Sequence, residues 1–206
     1  MDFEFSFVLL MKSVMTNKKT GGNSNETKNL IKHCHNTANE RIKVSVSPHS
    51  PYTCSEELLT ESAKLANNKD LNLHIHVSET KKEVDDLKNE RNQTPFEYLD
   101  DIDFLNNRTI AAHGVWTTDD EMKILNEKGV SVSHNPSSNM KLASGIAPVY
   151  KYLENDVNVS IGTDGVSSNN NLDMFSEMKL TPLLQKVNTL NPKVLPTNES
   201  IKMATE

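Results

Sequence analysis

Histidine side chains alternate with apolar ones in residues 73–79, Leu-His-Ile-His-Val-Ser-Glu. This period of two predicts a strand with an apolar face and a polar face, the latter carrying His74 and His76. Glu79 follows where the strand gives way to a loop, so a metal ligand and a proton carrier would lie close together. Taken alone, a His-x-His pair on a strand is more often hydrogen-bonded or exposed than metal-binding.

Four further segments with strand-like patterns are also followed by, or end in, a polar group. These are His49 after residues 42–47, His113 at the end of 109–113, His134 at the end of 130–134, and Asp164 after 157–161. Each has an ordinary structural alternative. His49 stands beside prolines and could cap a loop, His113 could be a hydrogen-bonded core histidine, and Asp164 is a common turn residue beside glycine. His134 is interpreted as a residue that supports the site without contacting the metal or the substrate itself.

His33 and His35 are not expected to bind one metal ion. The pattern of residues 27–39 predicts a helix, on which residues two apart point about 200° away from each other. We interpret both as surface histidines.

Strands and helices are predicted to alternate at least five times along the chain, with no two strands in tandem. Helices are expected near residues 55–67, 81–89, 94–100, from 118, over 147–154 and over 172–187, the last interrupted by Pro182. This pattern predicts an α/β fold with a parallel sheet, either a barrel or a doubly wound sheet. Polar groups at five strand ends favour a (β/α) barrel, because its strand ends converge on one mouth.

Composition excludes several classes of protein. The 206 residues are 24% charged and 35% hydrophobic with a net charge of −6, which is typical of a globular domain and disfavours binding to nucleic acid or to a membrane surface. Cys34 and Cys54 are too few for a disulfide framework, so the reducing cytoplasm is the expected location. The apolar run 7–11 follows acidic residues, unlike a signal peptide, and is too short to span a bilayer.

Five segments together resemble the amidohydrolase superfamily. They are Pro-His-Ser-Pro-Tyr-Thr-Cys-Ser (48–55), His-Ile-His-Val-Ser-Glu-Thr (74–80), Ala-Ala-His-Gly (111–114), Ser-His-Asn-Pro-Ser-Ser-Asn-Met-Lys-Leu-Ala-Ser-Gly (133–145) and Gly-Thr-Asp-Gly (162–165). The order of these segments and their amino-acid sequences are most similar to those of the methylthioadenosine/S-adenosylhomocysteine deaminases, including relatives that act on 5′-deoxyadenosine. The other class of zinc deaminases needs a Pro-Cys-x-x-Cys motif, which this sequence lacks.

The resemblance implies one divalent metal ion per active site, usually zinc, bound in part by His76 and Asp164. Glu79 would shuttle protons to the ring nitrogen, and Asp164 would take the proton of the attacking hydroxide. His113 would orient that hydroxide. His49, Glu79 and Asp164 would contact the substrate.

The implied reaction is hydrolytic deamination of adenine nucleosides such as methylthioadenosine, S-adenosylhomocysteine and 5′-deoxyadenosine, giving the inosine analogues and ammonia. Deamination or hydrolysis of another aminated heterocycle, such as guanine or a triazine, stays open. So does a catalytically inactive fragment. The expected partner is the small-molecule substrate, and a homo-oligomer also stays open.

The sequence departs from the family pattern at its start and its end. No segment supplies the family's first-strand His-x-His pair, and about six strands are counted where a closed barrel has eight. We therefore expect a truncated TIM-type (β/α)8 barrel comprising about strands 3 to 8. Residues 1–26 would be a residual strand and loop, and 27–206 the C-terminal part of the catalytic barrel. Such a chain is expected to bind zinc weakly and to turn over little.

Overall fold

The computed structural model describes residues 7–9 and 24–206, in which six strands alternate with helices. The strands are β1 (Phe7–Leu9), β2 (Ile42–Val46), β3 (Asn72–Val77), β4 (Thr109–His113), β5 (Ser131–His134) and β6 (Asn158–Ile161). The helices are α1 (Ser24–Cys34), α2 (Glu56–Lys69), α3 (Lys81–Arg91), α4 (Pro95–Asp101), α5 (Asp119–Lys128), α6 (Pro136–Lys141), α7 (Val149–Glu154), α8 (Met174–Thr189) and α9 (Thr197–Thr205). Within these ranges no helix is long and apolar enough to cross a membrane.

The sheet order separates the two architectures that the sequence pattern allows. All pairings between neighbouring strands are parallel, and the strands lie side by side in chain order from β1 to β6. A doubly wound sheet reverses direction at a switch point, whereas a barrel adds each new strand on the same side. The fold is therefore α/β, and its topology is that of a partial (β/α) barrel, as predicted.

The register of the sheet brings the site-bearing strand ends to one edge. Val77 pairs with His113 across β3 and β4, and His134 pairs with Ile161 across β5 and β6. Because parallel strands run in one direction, the residues after these pairs emerge at the same edge.

The apolar face of β3 packs against the helical layer, as the alternation predicts. Leu73, Ile75 and Val77 are fully buried and belong to the same core cluster as Leu59 of α2 and Leu87 of α3. The opposite face of β3 carries His74 and His76, and both are half-buried. The helices thus seal one side of the sheet and leave the histidine side facing the barrel interior.

Side chains cap two helices at the starts predicted for them, positions 55 and 118. The Ser55 hydroxyl accepts a hydrogen bond from the Leu58 N–H, 3.3 Å away. Thr118 forms a capping box with Glu121 at the start of α5. These caps satisfy N–H groups that a helix leaves unpaired, and so fix where the loops end.

Several predicted boundaries were wrong. Helix α1 ends at Cys34, not Asn39, because the chain enters left-handed conformations at Asn36 and again at residues 38–40. His35 therefore lies beyond the helix, and its Nδ1 accepts a hydrogen bond from the Val44 N–H at 3.0 Å. Helices α6 and α9 were not predicted, and α7 begins at Val149, two residues later than predicted. Of residues 1–26, predicted as a residual strand and loop, residues 7–9 form β1 and 24–26 begin α1, and the rest lie outside the described residues.

Pro182 does not interrupt α8, which runs through it to Thr189. Proline has no N–H, so it leaves the carbonyl of Met178 without its helical partner. The hydroxyl of buried Ser200, in α9, donates to that carbonyl at 2.6 Å. The bond lost inside α8 is thus replaced by one from α9.

We expect Ser200→Ala to lower the free energy of unfolding by about 1 kcal/mol, because it leaves the Met178 carbonyl without its donor. Urea denaturation measures this loss. In a Pro182→Ala background the backbone N–H restored at position 182 can donate to the same carbonyl, so the loss should largely disappear. An equal loss in both backgrounds would contradict the replacement.

Candidate active site

The carbonyl of His49 fixes His76 from the loop that follows β2. It accepts hydrogen bonds from the His76 backbone N–H, 3.0 Å away, and from the His76 ring Nδ1, 2.8 Å away. A carbonyl only accepts, so Nδ1 carries the proton in the neutral ring and the lone pair lies on Nε2. His76 is therefore held in the tautomer that a metal-binding imidazole needs.

His113 is held in the same way at the end of β4. Its Nδ1 lies 2.9 Å from Oδ1 of Asn139, an arrangement that again leaves the lone pair on Nε2. The His76 and His113 rings stack with centroids 5.4 Å apart and planes inclined by 29°. Burial is the main cause that lowers the pKa of His113, although the nearby Glu79 raises it. The imidazole is consequently neutral near pH 7.

Asp164 enters the site from the loop after β6 in a left-handed conformation, with φ 61°. Its Oδ2 accepts a hydrogen bond from the Ser138 hydroxyl at 2.6 Å, and its Oδ1 accepts one from the Gly165 N–H at 2.7 Å. Burial raises the pKa of Asp164, but these hydrogen bonds and the neighbouring histidines together lower it further than burial raises it. The carboxylate is therefore ionised.

Ligand atoms of His76, His113 and Asp164 lie within 4.8 Å of one another. Two ligands on one zinc ion are separated by up to about 4 Å when each bond is about 2.1 Å, so small side-chain movements would close this cluster around an ion. Two neutral imidazoles and a carboxylate suit a divalent metal. The cluster contains both predicted metal ligands, and also His113, to which the family resemblance gives the role of orienting the hydroxide.

Glu79 borders this cluster. One carboxylate oxygen lies 3.7 Å from Nε2 of His113, and the other accepts a 3.4 Å hydrogen bond from the Ser144 hydroxyl. Its side chain is 18% exposed, so it can reach both the cluster and a bound molecule. This is a suitable place for a group that carries protons.

Glu83, which the sequence analysis missed, holds the turn that carries Glu79. It is buried, and its two oxygens accept the backbone N–H groups of Ser78 at 3.0 Å and Glu79 at 2.9 Å. Burial raises the pKa of Glu83 to about 7, against the opposing effect of these hydrogen bonds. Its position three residues after the N-cap Thr80 is the signal that could have identified it.

The remaining histidines lie outside the cluster. His74 shares the face of His76, with ring centroids 5.9 Å apart, and burial lowers its pKa to about 4. His134 is fully buried, neither ring nitrogen has a hydrogen-bond partner within the described ranges, and burial lowers its pKa to about 3. His33 is exposed on α1.

Comparison with known proteins identifies the family. The profile of the amidohydrolase family matches residues 2–206. The chain belongs to the amidohydrolase family.

Similar amidohydrolases include two archaeal deaminases. The chain is 74% identical over 180 residues to a 5′-deoxyadenosine deaminase of Methanosphaera stadtmanae, a match covering 87% of this chain and 42% of that protein. It is 49% identical over 181 residues to a 5-methylthioadenosine/S-adenosylhomocysteine deaminase of Thermococcus sibiricus, covering 88% and 43%. This amidohydrolase chain thus spans less than half the length of these relatives.

A solved structure shares the fold. A crystal structure of an adenosine deaminase from Xanthomonas campestris, with bound zinc, matches with a TM-score of 0.84 and 35% identity. The match covers 88% of this chain and 41% of that one. The matched part of this chain therefore corresponds to less than half of a larger structure.

The raised pKa of Glu83 predicts a pH dependence of stability. The folded state binds a proton that the unfolded state has already released between the ordinary pKa of about 4.5 and the folded pKa of about 7. The contribution of Glu83 to the free energy of unfolding should therefore decrease as pH rises through this window, by at most about 1.4 kcal/mol per pH unit. Urea denaturation at pH 4.5–7.5 of the natural chain and Glu83→Gln should show this decrease in the natural chain alone. Parallel pH profiles would contradict it.

Proposed function

We propose that this chain carries metal-binding and proton-transfer groups of a zinc-dependent deaminase of adenine nucleosides. The main support is the convergence of His76, His113 and Asp164, with the Glu79 carboxylate 3.7 Å from His113. The substrate class is supported by the 74% identity to a 5′-deoxyadenosine deaminase. The same identity favours a nucleoside over guanine or a triazine.

Zinc is proposed as the metal because the donor set is two imidazole nitrogens and a carboxylate, and because the similar adenosine deaminase structure contains zinc. When bound, zinc supplies a water molecule that ionises near pH 7. His76 and His113, each through Nε2, and Asp164, through a carboxylate oxygen, would hold such an ion. His113 can alternatively hold the water by a hydrogen bond, as the family resemblance implies.

The protons of the reaction are assigned to the two carboxylates. Water adds to the ring carbon that bears the amino group, Asp164 takes a proton from it, and Glu79 protonates the ring nitrogen. The carbon–nitrogen bond then breaks: the proton held by Asp164 passes to the amino group, which leaves as ammonia, and Glu79 takes up the hydroxyl proton as the carbonyl forms. Both carboxylates thereby return to their starting states. His49, at the mouth beside His76, would contact the substrate.

Ammonia release tests this proposal directly. The purified chain with added zinc should release ammonia from 5′-deoxyadenosine, methylthioadenosine or S-adenosylhomocysteine, at a low rate given its length relative to the matched deaminases. Glu79→Gln should lower kcat by about 10²- to 10⁴-fold, since it removes the proton carrier.

Glu90→Gln, at an exposed position of α3, is the matched control and should retain the natural rate. Ammonia release that persists in Glu79→Gln would contradict the role of Glu79. No release from any of the three substrates would contradict the activity proposed for this chain.

Zinc affinity tests the metal site without turnover. Competition with a chromophoric chelator should show that Asp164→Asn and His76→Gln each weaken zinc binding by about 10-fold or more, because each removes a ligand. His33→Ala removes an exposed histidine and should leave the affinity unchanged. Equal zinc affinities in the natural chain and in all three variants would contradict this metal site.

A further inference from the structure

The short helix α6 contacts two site residues that come from different strands. The Ser138 hydroxyl donates to Asp164 Oδ2 at 2.6 Å, and Asn139 Oδ1 lies 2.9 Å from His113 Nδ1. Ser138 is 0% exposed and Asn139 is 1% exposed. We propose that Ser138 and Asn139 are positioning residues that set the carboxylate of Asp164 and the imidazole of His113 relative to each other. This inference rests on the proposed metal site.

Helix α6 is itself anchored on both sides of this pair. At its start, the Ser137 backbone N–H donates to the buried carboxylate of Glu177 at 3.0 Å. At its end, Lys141 Nζ donates to the Ser167 carbonyl at 2.8 Å and to Asn170 Oδ1 at 2.7 Å. The pair is therefore fixed to the loop after β6 that carries Asp164.

Ser138 restricts the orientation of the Asp164 carboxylate. Oδ2 is bonded to Ser138, and Oδ1 is bonded to the Gly165 N–H on the other side. With one donor on each oxygen, rotation of the carboxylate would break at least one hydrogen bond. The remaining lone pairs consequently keep a fixed direction toward the cluster.

Asn139 accepts the hydrogen bond of the His113 ring with its amide oxygen, whereas its amide nitrogen is left unpaired among the described residues. Its Nδ2 is buried and has no hydrogen-bond partner in the described part of the chain. A buried unpaired donor destabilises the fold. The benefit of asparagine here lies in its oxygen, which holds the proton of His113 on Nδ1 and leaves Nε2 free to bind.

Adjacent serines provide a matched test of Ser138. Ser138→Ala removes the hydroxyl bonded to Asp164, whereas Ser137→Ala changes a residue whose contact to Glu177 is made by its backbone. Zinc affinity of the full chain, measured by chelator competition, should weaken by about 10- to 100-fold in Ser138→Ala and by less than about threefold in Ser137→Ala. Unchanged affinity in Ser138→Ala, or equal weakening in both variants, would overturn the role of Ser138.

The tautomer of His113 tests Asn139 without metal. The ¹⁵N chemical shifts of the ring should show the proton on Nδ1 in the natural chain. Asn139→Leu should lose this preference, and Asn139→Asp, which keeps an acceptor, should retain it. Asn139→Ala replaces the leucine variant if thermal unfolding shows that leucine is not accommodated. The same tautomer in leucine or alanine variants would overturn the role of Asn139.

The two measurements also separate this inference from the proposed function. A natural chain that binds no zinc would contradict the metal site and, with it, the role of Ser138. The tautomer of His113 would still decide whether Asn139 positions the ring.

Discussion

The hydrogen bond from the His76 ring to the His49 carbonyl determines what the site can do. It joins the loop after β2 to β3, and it fixes the proton on Nδ1 so that Nε2 presents a lone pair. The barrel topology brings His113 and Asp164 to the same point, but convergence alone does not create a metal site. A site needs imidazoles in the correct tautomer, and here the tautomers of His76 and His113 are set by neutral acceptors on their Nδ1 atoms.

Much of the fold could be predicted because it depends on local patterns. The alternation at 73–79 predicted both the strand and the face that His76 occupies, and Ser55 and Thr118 marked helix starts. Helix α6 was missed because it is only six residues long, although Asn135 followed by Pro136 is a usual helix start. The continuity of α8 through Pro182 depends on Ser200, a contact that no local pattern contains.

The site was predictable in its residue types but not in its supporting contacts. Polar residues at strand ends predicted that His76, His113 and Asp164 would lie close together, since parallel strands end at one edge. Ser138 and Asn139 contact Asp164 and His113 from a separate helix, which only three-dimensional proximity shows. Glu83 instead holds the turn before α3 that carries Glu79. Glu83, Glu121 and Glu177 form a shared pattern, because each is a buried carboxylate that accepts backbone N–H groups from a loop or from another helix.

The crowding of imidazoles has a consequence for acid tolerance. His49, His74 and His113 each have a ring within 6 Å of the His76 ring, and burial lowers the pKa values of all three. The unfolded chain takes up protons on these residues at a higher pH than the folded chain does, so acidification below about pH 6.5 favours unfolding. A cation held among neutral imidazoles would oppose that proton uptake. The metal would then protect the fold against acid, in addition to any part it takes in chemistry.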